Sequence, residues 1–357
     1  MSVATRVPAP LAKALGRISS STLLRHLLFA LFGLVIVILV LESTDQFRNA
    51  QFASMAYLGI AAGGLTVLTG LNGQLSLGHG AFMAIGAYTT ALFFQDSEPP
   101  LPVVGVLIVA TVVTLIVGAA VGVAAARLHG PYIAGATLAL AVAVPGIALF
   151  FSDTLGGEQG LNVLVPDIPD WFANVVFFIT ANEVSTSKYI GYIGWLCLLA
   201  TFVLLANLSR SRVGRVWRAV RDDEVAAEIA GINLGRARVL AFVVSAACAG
   251  LAGAVMAMAV RITAPSGFSL TLSLTLLTAV VLGGLGSLLG ALIGAALLTF
   301  LPQVVTGVGH DAGLSDLQAA ELAPLVYGLT MVLVILLAPA GIVGSIRGAW
   351  RRRKESA

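Results

Sequence analysis

Ser76 and His79 are the residues whose types and spacing most suggest chemistry, because a hydroxyl and an imidazole three residues apart share one face of a helix. Such a pair could act as nucleophile and base. However, no acid that would orient the histidine lies nearby, and no recognisable nucleophile motif surrounds the serine. The phosphate-binding pattern Gly-x-x-x-x-Gly-Lys-Ser/Thr is absent as well. The sequence therefore disfavours an enzyme and predicts no catalytic residue, metal site or cofactor.

The pair lies in a glycine-rich segment, residues 70–80, that also contains Asn72 and Gln74. Glycine weakens a helix interior. Irregular backbone at membrane depth is tolerated where protein buries it or where it lines a water-filled cavity. Two interpretations follow, a broken helix that lines a passage and a tight turn between two membrane crossings. His79 either bonds to a neighbouring crossing or faces the passage.

The elements that position this segment are membrane helices. Apolar residues make up 58% of the 357-residue chain and charged residues 10%, whereas soluble domains carry roughly a quarter charged residues. No charged residue occurs between Arg48 and Asp96 or between Arg261 and Asp311, and each window has room for two crossings of about 20 residues. The sequence therefore predicts an all-α, polytopic transmembrane helical bundle.

Ten crossings are predicted, and they lie within a transmembrane domain over residues 26–346. Their approximate bounds are 26–41, 50–70, 76–94, 101–126, 131–151, 189–208, 239–260, 267–283, 286–305 and 323–343.

The distribution of charge predicts that both termini are cytoplasmic. With that orientation, all 20 basic residues except Arg48, Lys188 and Arg261 lie on the cytoplasmic side, as the positive-inside rule requires. The cytoplasmic segments are then an N-terminal tail (1–25), a loop (209–238) and a basic C-terminal tail (347–357). Residues 152–188 form a long external loop.

Glycines four residues apart let membrane helices approach closely, so they predict packing faces. This spacing occurs at Gly59 and Gly63, at Gly118 and Gly122, and at Gly286, Gly290 and Gly294. The turn at Gly283 and Gly284 lies on the same predicted side as the segment 70–80.

The cytoplasmic loop contains a predicted surface helix of about two turns. Asp222 or Asp223 provides its N-terminal cap, acids in the first turn suit its dipole, and Gly231 ends it. Val225, Ala226, Ile229 and Ala230 form one small apolar face. A helix this short is not stable alone. It either lies on the bilayer surface or docks on a cytosolic partner.

Several motifs in this chain resemble one known family. Residues 73–82 (GQLSLGHGAF) and 85–88 (IGAY) are very similar to the Liv-type permease subunits of branched-chain amino acid ABC transporters, and residues 218–224 and 281–290 recur in the same order. The resemblance covers residues 55–345. Glu158-Gln159 stands where relatives often carry Ser-Asp.

This resemblance implies an ATP-driven importer in the bacterial inner membrane that carries leucine, isoleucine and valine. Its partners would be a paralogous permease, two cytosolic ATP-binding subunits, an external substrate-binding protein and membrane lipid, with no nucleic acid. The motif residues implied to couple to the ATPase are Asp222, Asp223, Glu224, Ala226, Ala227 and Gly231. We assign to the translocation path Asn72, Gln74, Ser76, His79, Thr137, Gly283 and Gly284.

Two other functions stay open at this point. The same class of importer could carry urea, short amides or other amino acids. A stand-alone secondary transporter is the other alternative. The predicted crossings hold no central carboxylate, which counts against proton coupling. It does not exclude sodium bound by backbone carbonyls at a broken helix.

Overall fold

The computed structural model describes residues 22–96, 98–128, 131–338 and 341–355, which form a helical bundle with a two-stranded sheet. The predicted all-α class is confirmed. The helices are α1 (Thr22–Ser43), α2 (Gln46–Leu65), α3 (His79–Phe93), α4 (Val103–Ala125), α5 (Pro131–Phe150), α6 (Ser152–Leu155), α7 (Asp170–Thr180), α8 (Thr186–Arg210), α9 (Arg212–Asp222), α10 (Glu224–Ile229), α11 (Leu234–Val260), α12 (Leu270–Gly283), α13 (Leu288–Asp311), α14 (Asp316–Leu337) and α15 (Gly341–Glu355).

Shorter elements complete the fold. A π-helical turn, Thr66–Leu71, continues α2, and 3-10 turns occur at Gly157–Gln159 and Pro265–Phe268. Strands β1 (Leu161–Asn162) and β2 (Ile262–Thr263) pair antiparallel. Most of the predicted N-terminal tail lies outside the described residues. The predicted C-terminal tail continues α15 as far as Glu355.

Eight helical segments within the described residues are long and apolar enough to cross a membrane. They include α1, α2 with its π-turn, α4, α5, α8, α11, α12 with the preceding 3-10 turn, and α13. The two other predicted crossings are α3, which has 15 residues, and α14, whose apolar part is short. Asp316, Glu321 and Pro324 occupy the first half of α14.

The centre of the bundle is α11, which packs against α2, α3, α4 and α8. Its alanines at 241, 246, 249 and 252 are fully buried, so neighbouring helices come close. The predicted glycine faces lie at helix contacts: Gly59 and Gly63 meet α8, Gly118 and Gly122 meet α11, and Gly290 and Gly294 meet α12.

The bundle has two distinct ends. We call one the α10 end; it carries α9, α10 and the turns at residues 71–75, 126–128 and 284–287. The other, the β end, carries the β1–β2 pair and a cluster around Glu42, which accepts hydrogen bonds from Lys188 (2.8 Å), Asn182 (3.0 Å) and Tyr192 (2.7 Å). Each contact between loops joins segments that the charge pattern assigns to the same side. That the α10 end faces the cytoplasm stays a prediction.

Candidate functional site

The segment between α2 and α3 folds back into the bundle. The π-helical turn that continues α2 ends at Leu71 with a last bond from the Asn72 N–H to the Val67 carbonyl, and the chain is not helical from there to Gly78. Asn72, Gln74 and Ser76 are buried, while Gly73 and Leu75 between them are exposed. This alternation is typical of extended chain with one face against protein. We call residues 72–78 the re-entrant segment.

Side chains and carbonyls of the bundle bind the re-entrant segment. The Gln74 N–H donates to the Leu68 carbonyl at 3.0 Å, and the Gln74 carbonyl accepts from the Thr69 hydroxyl at 3.1 Å. The Leu77 N–H donates to the Thr137 hydroxyl at 3.0 Å. These bonds satisfy backbone groups that have no helical partner, which is the condition for irregular backbone in a membrane.

Helix α3 begins in the interior of the bundle. His79 Nε2 donates to the Ala61 carbonyl at 2.9 Å, and the Gly80 N–H donates to the Ser273 hydroxyl at 2.9 Å. Ala61 lies ten residues before Leu71, the last residue of the π-helical turn. Ser273 lies ten residues before Gly283, the last residue of α12. At 1.5 Å per helical residue, both place the start of α3 about 15 Å from the α10 end. This is half of a hydrocarbon core of about 30 Å.

The connection is therefore an interrupted helix and not a simple tight turn, while its lining of a passage stays a prediction. A turn would start the next crossing at the membrane surface, whereas α3 starts at mid-depth and has 15 residues. These residues extend about 22 Å. They carry the chain to Phe94, whose carbonyl accepts from the Leu164 N–H at the β end.

Several buried polar groups near this break lack a hydrogen-bond partner among the described residues. They are both amide atoms of Asn72, Oε1 of Gln74 and Nδ1 of His79. A buried polar group without a partner costs about 1–3 kcal/mol, so such groups are rare unless water or a ligand binds them. Because the Ala61 carbonyl fixes the proton on Nε2, neutral His79 offers Nδ1 as an acceptor.

The other residues predicted for the path are divided between two locations. Thr137 is buried beside the re-entrant segment, and Ser76 Oγ accepts from the Gly78 N–H at 3.4 Å. Gly283 and Gly284 instead lie at the α10 end. Gly283 packs against Gly290, and Gly284 packs against Gly341. The structure thus brings Asn72, Gln74, Ser76, His79 and Thr137 together and places the two glycines at a helix contact.

The predicted surface helix is present as α10. Asp223 caps it by accepting from the Ala226 N–H at 3.0 Å, and Gly231, after its end, has a φ of +84°, which favours glycine. Val225 and Ile229 are 68% and 83% exposed, and Ala226 is exposed beside them. Ala227 is buried against the bundle. The helix therefore presents an apolar face outward and is fixed through its opposite face.

A buried arginine holds α10 in place. Arg238 of α11 is 1% exposed; its guanidinium donates to the Glu224 carboxylate at 2.7 Å and to the Leu128 carbonyl at 3.0 Å. Trp217 of α9 is also fully buried and donates from Nε1 to the Ala237 carbonyl at 2.9 Å. Two buried donors therefore fix α9 and α10 to the start of α11.

The same surface element contacts the end of α2. Arg221, in the last turn of α9, donates from Nη1 to the Gly70 carbonyl at 2.8 Å, and it also pairs with exposed Asp222. Gly73 packs against the stem of the Arg221 side chain. Gly70 itself packs against the backbone of Gly286. One side chain thus connects the α9–α10 element to the residues that precede the re-entrant segment.

Sequence reasoning missed Arg238, Trp217 and Ser273. Arg238 is the last residue of the predicted cytoplasmic loop (209–238), and the apolar run that follows it is the signal in the sequence that points to its burial. Ser273 lies in a run of alternating serine, threonine and leucine, residues 269–275, in which nothing distinguishes it from its neighbours.

The fold and the site define a multi-pass helical membrane protein with an interrupted helix in its interior and an apolar surface helix at one end. The chain belongs to the family described as the permease component of branched-chain amino acid transport systems, which it matches over residues 50–335. It is therefore an ABC transporter permease subunit, and such a subunit is not itself an enzyme.

Individual relatives agree with this assignment. The chain is 30% identical over 320 residues to the high-affinity branched-chain amino acid transport permease LivM of Escherichia coli K12, covering 84% of this chain and 71% of that protein. It is 28% identical over 317 residues to the high-affinity branched-chain amino acid transport permease BraD of Pseudomonas aeruginosa, covering 84% of this chain and 95% of that protein. It is 31% identical over 203 residues to the autoinducer 2 import permease LsrC of Klebsiella pneumoniae, covering 52% of this chain and 53% of that protein. No solved structure gives a significant match.

Proposed function

We propose that this chain is one of two paralogous permease subunits in a bacterial inner-membrane importer of leucine, isoleucine and valine. Two separate cytosolic ATPases supply the energy, and a substrate-binding protein delivers substrate at the β end. The names of LivM and BraD support the substrate class. The concentration of arginines around α9 supports a cytoplasmic location for the α10 end.

The observation that carries the proposal is the hydrogen bond from Arg221 to the Gly70 carbonyl, because it links α9 and α10 to the broken helix. The exposed side chains of Val225, Ala226 and Ile229 are the surface on which an ATPase docks. A displacement of α10 then reaches α9 and the end of α2 directly.

The motif residues have different roles in this proposed coupling. Asp223 and Gly231 define the start and the end of α10. Glu224 and Ala227 fix it to the bundle through Arg238 and through burial. Asp222, which is 64% exposed at its side chain, and Ala226 face the partner.

The unpaired groups at the break suit an amino acid in transit. Asn72 offers both an amide donor and an amide oxygen, while Gln74 and neutral His79 each offer an acceptor. An amino acid carries a carboxylate that needs donors and an ammonium that needs acceptors. The start of α3 adds the positive end of a helix dipole at the same depth, which favours the carboxylate.

Uptake of radiolabelled leucine in a strain that lacks this chain tests the proposal. We expect leucine uptake to be lost, to return with the plasmid-borne chain, and to be competed by unlabelled isoleucine and valine. The control competitors are urea, short amides and a charged amino acid. Intact leucine uptake in the deletion strain would contradict the proposed substrate, but it would not affect the assignment to the permease family.

The similarity to LsrC, over about half of the chain, supports a second candidate, a small polar substrate that is not an amino acid. The same uptake assay separates the two. Intact uptake of labelled leucine in the deletion strain, together with lost uptake of labelled urea or a short amide, would favour the second.

A further inference from the structure

A cavity of about 800 Å³ lies between α1 and α8 and is open to the surroundings of the bundle. Its walls are almost entirely apolar and include Phe29, Ile36, Trp195 and Leu199, with Leu292 of α13 at the back. The volume is in the range of sites for small molecules, about 300–1,000 Å³. None of the residues assigned to translocation or to ATPase coupling lines it.

The cavity is a groove that runs along the membrane normal. Its lining follows α1 from Arg25 to Leu41, which is seventeen residues and therefore sixteen helical steps. At 1.5 Å per residue this is about 24 Å, most of the thickness of a hydrocarbon core. Phe29 and Ile36 at its edges are exposed. A long, narrow apolar groove of this kind matches an extended hydrocarbon chain.

The charged end of the groove identifies the headgroup. Arg25 of α1 and Arg210 at the end of α8 line it at the α10 end. Neither has a carboxylate partner among the described residues. Residues 1–41 and 184–221 contain no Asp or Glu at all. Two cations without acids above an apolar groove are complementary to a phosphate that carries an acyl chain.

His26 and Asn207 connect the two walls beside these arginines. The Asn207 amide nitrogen donates to the Val203 carbonyl at 2.8 Å, so its oxygen faces His26 and accepts from Nδ1 at 3.0 Å. This bond keeps α1 and α8 together at the charged end. The arginines are thereby held on both sides of the groove entrance.

We infer that this groove binds an anionic phospholipid from the leaflet at the α10 end, with an acyl chain along α1 and α8 and the phosphate between Arg25 and Arg210. The lipid would stabilise α1 against α8, since its acyl chain would fill the apolar groove between them. This inference is independent of the transported substrate.

Trp195 gives a direct readout because it lines the groove. We would replace the exposed Trp171 and Trp350 by phenylalanine and keep Trp217, which is fully buried. The assembled complex would be reconstituted into phosphatidylcholine that contains a small fraction of either brominated phosphatidylglycerol or brominated phosphatidylcholine. Bromine quenches a tryptophan that it contacts. We expect a preference of roughly thirtyfold for the anionic lipid, since the two cations together contribute about 2 kcal/mol.

Variants make the assignment specific. Replacing both Arg25 and Arg210 by glutamine should abolish the preference, and Ala206→Leu, which fills the groove, should reduce quenching by both lipids. The control Arg127→Gln removes a cation at the same end but outside the groove, and it should change neither the preference for the anionic lipid nor the extent of quenching. Equal quenching by the two lipids, or a preference that survives the double variant, would overturn the inference. Absence of quenching by either lipid in the complex would also overturn it, since a protein subunit would then cover the groove.

Discussion

The guanidinium of Arg221 and the carbonyl oxygen of Gly70 are 151 residues apart in sequence and are joined by a hydrogen bond of 2.8 Å. Gly70 precedes the re-entrant segment by two residues, and Arg221 precedes α10 by three. A single bond therefore joins the surface element that we propose as the docking surface to the interior break.

Replacing Arg221 by methionine tests this connection. A hydrogen bond to a charged group contributes about 1.5–3 kcal/mol, so its loss should reduce transport by roughly tenfold or more while the subunits stay assembled. Uptake and ATP turnover would be measured together in proteoliposomes. Arg212→Met, at the exposed start of the same helix, is the matched control. Transport equal to that of the parent complex would show that the contact is dispensable.

Glu224→Ala should destabilise the protein. Arg238 is buried, and removing its half-exposed carboxylate partner leaves one side of the guanidinium unpaired, at a cost of about 1–3 kcal/mol. Glu224→Gln keeps an acceptor and should cost less. Thermal unfolding of the detergent-solubilised protein measures both. The control Asp222→Ala removes the exposed pair with Arg221 and should change stability by less than about 1 kcal/mol. Equal effects of the Glu224 and Asp222 variants would contradict the structural role of Arg238.

Replacing Asn72 or Gln74 by leucine should impair transport without loss of assembly. Their side chains are buried and carry unpaired groups, so an apolar replacement of similar size should leave stability unchanged or raise it. Transport and thermal stability would be measured on the same preparations. Asn174→Leu, on the exposed face of α7, is the control for the amide. A joint loss of stability and transport would mean that these amides have a structural role.

Ala226→Arg should uncouple or disassemble the complex, since it places a long cation in the exposed apolar face of α10. Copurification of the ATPase subunits and ATP-dependent uptake would report the two effects. The same replacement at exposed Ala50, near the β end, should leave both intact. Unchanged uptake in the Ala226 variant would contradict docking on α10.

The sequence predicted features that depend on local spacing. The four-residue glycine repeats predicted three helix contacts, and the pair Asp222 and Asp223 together with Gly231 predicted the two ends of α10. Both depend on residues within one or two turns of each other, where side-chain type determines conformation.

Features that depend on distant residues could not be predicted. The segment 70–80 was consistent with a turn and with a broken helix, because the difference depends on Ala61, Thr137 and Ser273 accepting its hydrogen bonds. The burial of Arg238 likewise depends on Glu224 and on the Leu128 carbonyl of another helix. No pattern along the chain encodes these partners.

The start of α3 at mid-depth has a consequence for the electrical insulation of the membrane. The first peptide groups of a helix carry a partial positive charge of about half an elementary charge. In a medium of low polarity, that charge opposes the entry of protons and sodium ions. A zwitterion has a negative group that can lie against this partial positive charge, and it has no net charge that the partial charge would repel. On the proposed path, the interrupted helix would thus favour passage of a neutral dipolar solute and would help to preserve the ion gradients on which the cell depends.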